Sequence, residues 1–137
     1  MIFRMVLLAM AGMGMFLAFA SALEWTPAQA ATRPSTTTVR MTREHSFEPQ
    51  VILVFPGDEV VWQNDDHAVH SVVSDILLVH HRSDVEPPAP PEPFHSDDLA
   101  PGQSYRRVFT LEGVYRYVCL QHEEVGMNGT VIVSPRQ

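Results

Sequence analysis

The stretch Gly113-Val-Tyr-Arg-Tyr-Val-Cys119-Leu-Gln-His122-Glu-Glu-Val-Gly-Met127 joins an alternating run to a cluster of donor atoms. It holds the single cysteine of the chain, followed closely by a histidine and then a methionine. Two-residue alternation places Tyr115, Tyr117 and Cys119 on one face of a strand and Val114, Arg116 and Val118 on the other. Arg116 then faces solvent, and Cys119 turns inward at the strand's end, where burial protects a thiolate from oxidation. The turn at Val125-Gly126 lets the chain double back and bring Met127 to the same point. Thiolate, imidazole and thioether form a soft-to-borderline set that suits copper far better than magnesium, calcium or manganese. These donors leave a metal short of one strong ligand, and His70, just ahead of Val72-Val73, is the candidate for it.

Working outward, the chain shows short β-rich runs divided by turn residues, with no helical period of useful length. Runs fall at 36–42, 51–55, 59–63, 70–73, 76–79, 104–110, 114–119 and 130–133. Pro56-Gly57-Asp58 and Pro101-Gly102 mark turns between them. This spacing predicts an all-β fold, a Greek-key β-sandwich of seven to eight strands. Trp62, Tyr115 and Tyr117 are the expected core aromatics. Residues 86–93, Glu-Pro-Pro-Ala-Pro-Pro-Glu-Pro, cannot donate to a sheet ladder and read as a stiff surface loop.

The first thirty residues read as something other than fold. Arg4 precedes an unbroken apolar run, and small residues follow at 20–22 and 28–30, the pattern of a cleaved secretory signal peptide over 1–30. An uncleaved membrane anchor is the competing reading, because 5–23 is long enough to span a bilayer. Either way the domain, residues 31–137, is expected to be periplasmic or secreted, in contact with a membrane only if the segment stays attached. At 137 residues the chain holds about one domain. All 9 basic residues are arginine, against 16 acids, for a formal charge of −7. That balance argues against nucleic acid as a partner.

A wider pattern is carried by Phe47-x-Pro49, Gly57-Asp58-x-Val60-x-Trp62-x-Asn64, His70-Ser71, Pro101-Gly102-x-Ser104-Tyr105 and Gly113-x-Tyr115-x-Tyr117-x-Cys119-x-x-His122-x-x-x-x-Met127-x-Gly129. It resembles the cupredoxins, the small blue copper proteins, and within them the plastocyanin and pseudoazurin group. The resemblance spans roughly residues 36–134. It implies one type 1 copper ion with His70, Cys119 and His122 in a trigonal plane and Met127 as a long axial ligand. It also implies one-electron transfer between larger redox proteins, as a carrier and not an enzyme. Copper storage, delivery or resistance with the same ligands is the alternative. Ser71 is a candidate partner around the ligands.

The chain departs from the group at one telling place. Plastocyanins carry an aromatic residue directly before the cysteine as a remote electron port, and here it is Val118. Exchange is therefore expected directly through His122. Glu123 and Glu124 follow it and suggest an acidic lip that meets a basic partner face. A catalytic thiol pair of Cys119 and His122 lacks a third orienting group. A structural zinc site would call for more cysteine or histidine and no methionine. His45, His67, His80, His81 and His95 are expected to be ordinary surface residues, with His80, His81 and His95 the one conceivable second metal cluster.

Overall fold

The computed structural model describes residues 33–75, 77–85 and 91–136. The leader expected over 1–30, together with Ile76 and residues 86–90 of the proline-rich loop, lies outside them. The chain divides into two units, Met1–Ala31 and Thr32–Gln137, and the described residues all belong to the second.

Seven strands among the described residues form two sheets. One sheet holds β1 (Thr36–Met41), β2 (Phe47–Glu48), β4 (Glu59–Asn64) and β5 (Ser104–Val108), in the order β2-β1-β4-β5. The other holds β3 (Val51–Val54), β6 (Gly113–Val118) and β7 (Asn128–Val133), in the order β3-β7-β6. β1 with β4, and β3 with β7, are parallel pairs. Parallel neighbours cannot be joined by a hairpin, so the chain crosses between sheets and wraps into a Greek-key sandwich.

Alternation decides what lies between the sheets. Val39 and Met41 of β1, Ile52 and Val54 of β3, Tyr115 and Tyr117 of β6, and Val131 and Val133 of β7 are buried in one core. Their strand neighbours Val51 and Leu53 remain exposed. Trp62 is the hub, with ring centroids of Phe94, Tyr105, Phe109 and Tyr117 at 5.7, 5.6, 6.3 and 5.4 Å. Burying a large apolar side chain of this kind contributes about 2–3 kcal/mol, and the edge-to-face contact with Tyr117 adds to it. Burial pushes the Tyr117 phenol well above its ordinary pKa. Gly129 pairs with Tyr117 across β6 and β7, where any Cβ would drive into the phenol ring. That close approach explains why glycine stands two residues after Met127.

The turn before β4 is tied by a buried carboxylate. Asp58 accepts hydrogen bonds from the N–H groups of Ser35 and Phe55 at 2.8 and 3.0 Å, and from Arg136 at 3.3 Å. Burial pushes its carboxyl upward, but the two amides and the guanidinium outweigh that and leave it below the usual carboxylate range.

Two expected strands do not form. Residues 70–73 make isolated bridges, His70 with Leu99 and Val73 with both His95 and Val118. The reason is how their amides are used. Ser71 donates to the Cys119 sulfur and Val72 to Ser96 Oγ, so no run of consecutive backbone pairs develops. Residues 77–79 begin as a turn, because the Leu77 amide binds Asp75 Oδ1 and the Leu78 amide binds the Asp75 carbonyl. The segment then continues through a 3-10 turn, Arg82–Asp84. This strap, 77–85, covers the end of β6 at Val118: Val79 and Val85 pack with Val73, Val118 and Leu120 in a second small core. At the far side of the proline-rich loop, Glu92 pairs with Arg107 at 3.0 Å and Pro91 sits against Gly113.

Candidate metal centre

Cys119 leaves β6 fully buried, and a 3-10 helix, Leu120–Val125, begins with the next residue. Gly126 ends that helix in the left-handed conformation, φ 80°, as the turn requires. The chain then closes on itself. The Cys119 amide donates to the Met127 carbonyl at 3.0 Å, and the His122 amide donates to the Cys119 carbonyl at 3.1 Å. Met127 is buried in the same core as Cys119, so the chain doubles back at Gly126 as its sequence suggests.

His70 arrives from the other side of the sandwich, held by both backbone groups to Leu99 at 3.1 and 2.8 Å. Asn64 at the end of β4 holds the approach: its amide nitrogen donates to the Ala68 and Leu99 carbonyls, and its oxygen receives the Asp66 N–H. Asp66 in turn lies 3.0 Å from His70 Nε2. A carboxylate can only accept, so Nε2 carries the hydrogen and the Nδ1 lone pair faces inward. The His67 amide and the His70 ring hold the Asp66 carboxyl below its ordinary range. Asp66 was not legible as a site residue; it reads as one acid among turn residues.

Three donors converge as a result. Cys119 Sγ lies 3.5 Å from His70 Nδ1 and 3.4 Å from His122 Nδ1. Donors bound to one ion at the usual nitrogen and sulfur distances, near trigonal or tetrahedral angles, stand about 3.4–3.8 Å apart. The donor set therefore fits a single ion without rearrangement of the backbone. The Ser71 amide also points at the sulfur, 3.4 Å away, and Ser71 Oγ receives the Leu120 amide at 3.0 Å. Ser71 thus acts through its backbone on the sulfur and through its hydroxyl on the loop.

Burial pushes the Cys119 thiol up, against the amides of Ser71, Gln121 and His122, which favour the thiolate. Burial also pushes the His122 ring down, helped by His45 and His70. Two groups that resist charging in the absence of a cation, the Cys119 thiol and the His122 ring, are suited to exchanging a thiol proton for a metal ion.

The surroundings differ from expectation in three respects. His45 is not an ordinary surface residue: its ring stacks on His122, centroids 4.0 Å apart and planes 14° apart. Its backbone takes a positive φ of 52°, inside a turn closed by Thr42 and Ser46, and its Nδ1 is buried without a partner. Nor is the lip made of two acids. Glu124 is exposed, but Glu123 is buried and accepts the His80 and His81 amides at 2.9 and 2.6 Å. The conceivable second cluster of His80, His81 and His95 is not assembled either. His80 and His81 face Glu123, and His95 belongs to neither metal-competent cluster among the described residues. His67 is a surface residue, bonded to Arg43.

Comparison with known proteins agrees with this geometry. The copper binding proteins of the plastocyanin/azurin family match residues 35–134. A plastocyanin of Scenedesmus fuscus is 35% identical over 89 residues, covering 64% of this chain and 86% of its own. Among solved structures, the copper-containing nitrite reductase of Thermus scotoductus SA-01 is 30% identical with a TM-score of 0.61, over 77% of this chain but only 24% of that one. A Cu(I) form of an amicyanin mutant is 25% identical with a TM-score of 0.57, covering 77% of this chain and 88% of that one. The chain is a cupredoxin. More particularly, it belongs to the plastocyanin/azurin family of copper binding proteins.

Proposed function

We propose that this protein is an extracytoplasmic carrier of single electrons, with copper held by His70, Cys119, His122 and Met127. The observation that carries the reading is the meeting of Cys119 Sγ with two imidazole Nδ1 atoms at 3.4 and 3.5 Å in a buried site. Copper in such a site supplies a one-electron couple between Cu(I) and Cu(II). The chain's own residues keep the donors in place. Asp66 fixes the His70 tautomer, Ser71 donates to the sulfur, and His45 backs the His122 ring. A rigid sandwich that fixes two loops limits rearrangement between oxidation states, which is what fast exchange needs.

Exchange through His122 is supported by what lies on the opposite side, where Val118 is aliphatic and covered by the strap. A redox partner with a basic docking face fits the exposed Glu124 and the net charge of −7. Export is supported by the leader pattern over 1–30.

The test is optical and kinetic. Protein loaded with Cu(II) should be intensely coloured, and Cys119→Ser should abolish the band. A colourless Cu(II) complex overturns the ligand assignment. Fast electron self-exchange supports a carrier, whereas rapid surrender of copper to a chelator would favour a role in copper delivery.

A further inference from the structure

Glu123 is the most unusual charge outside the copper set. Its side chain is fully buried, and its ion-pair partners among the described residues are two histidines, with no arginine. Its oxygens lie 3.3 Å from His80 Nδ1 and 3.7 Å from His81 Nδ1. Asp84, one 3-10 turn along the strap, brings a second carboxylate: donor atoms of His81, Asp84 and Glu123 all fall within 4.8 Å of one another. The two amides that Glu123 accepts fix its position, yet each carboxylate oxygen keeps a further lone pair. The histidines are open to solvent, 65% and 49% exposed, so an ion can reach them.

We propose that Glu123, His81 and Asp84, joined by His80, form a second metal site distinct from the copper centre. Its donors are imidazole nitrogens and carboxylate oxygens, with no sulfur. That set suits a borderline divalent cation, Zn²⁺ or Cu²⁺, and does not suit Mg²⁺. A buried carboxylate is costly unless paired, and a divalent ion supplies a countercharge. The exposed ligands move by small rotations to close on the ion, while Glu123 stays fixed. Binding would pin the strap, and with it Val79 and Val85, over Val118 at the end of β6.

The experiment is a calorimetric titration of the copper-loaded full chain with Zn²⁺, with the visible band followed in parallel. One equivalent should bind with the band unchanged, and Mg²⁺ should not replace it. His81→Ala and Asp84→Asn should each weaken binding more than about tenfold, since even partners outside a ligand set typically carry that much. His67→Ala should leave it unchanged. Cu²⁺ added beyond the first equivalent should compete with Zn²⁺ without adding to the band. Hydrogen exchange gives a second readout: zinc should slow the amides of 79–85 in the parent protein and not in Asp84→Asn. Absence of a zinc equivalent, or binding indifferent to both variants, overturns the proposal. Repeating the titration on Cys119→Ser separates the centres: retained binding supports a distinct site, and lost binding assigns the zinc to the copper ligands and overturns it.

Discussion

His122 and Glu123 are adjacent in sequence and belong to different parts of the molecule. His122 faces the thiol and lies under the ring of His45, so its surroundings are a packed group of imidazoles. Glu123 faces the strap and is held by backbone amides. A backbone kink at His122, φ −131° and ψ 22°, interrupts the 3-10 helix and sends the two side chains apart. The difference teaches that this loop does two jobs at once. One side turns an imidazole toward the Cys119 thiol, while the other anchors the loop to a segment more than forty residues earlier.

The largest effect is expected on the Glu123 side. Glu123→Ala removes two hydrogen bonds to a charged group and should cost about 3 kcal/mol in urea unfolding, without abolishing the copper band. Loss of the band with unchanged stability would mean that the two sides are not separable as described. On the His122 side, Asp66→Ala frees the His70 ring and should weaken copper binding about 10–100-fold, read by competition with a chelator. His45 gives a finer probe. His45→Ala should cost about 1 kcal/mol of apoprotein stability and shift the reduction potential, whereas His45→Phe keeps a ring over His122 and should recover most of both. Equal behaviour of the two variants would show that stacking is not what His45 contributes.

The smallest effect comes from a control far from either side. The folded-state pKa of Asp58 is depressed, so the unfolded chain binds the proton more tightly. Its contribution is complete above about pH 4, the unfolded value, and is lost as pH falls through the folded one. Asp58→Asn should flatten the decline of stability below pH 4, by about 1 kcal/mol, and leave copper binding alone.

Much of this was legible in the sequence. The donor types of His70, Cys119, His122 and Met127 pointed to a copper centre, the fold brings the first three together and buries the fourth beside them, and alternation gave six of the seven strands approximately. Strand β2 has two residues, too few to show a period. The His70 segment misled because its residues have strand composition, while one amide is committed to sulfur and another to a serine hydroxyl. His45 could not be read at all. Its place depends on a turn of positive φ that aims the ring across the sandwich mouth, and a polar residue in a turn looks like surface. Glu123 failed in the same manner: an acid beside an exposed-looking histidine gives no hint that a distant strap will bury it.

The covering of Val118 has a consequence for traffic. With Val118 covered by Val79 and Val85, the proposed exchange through His122 would leave donor and acceptor one doorway to share. On that reading they would not be seated together. Delivery would then be a matter of turns, in which the partner that gives leaves before the one that takes arrives, and an excess of either slows the whole relay.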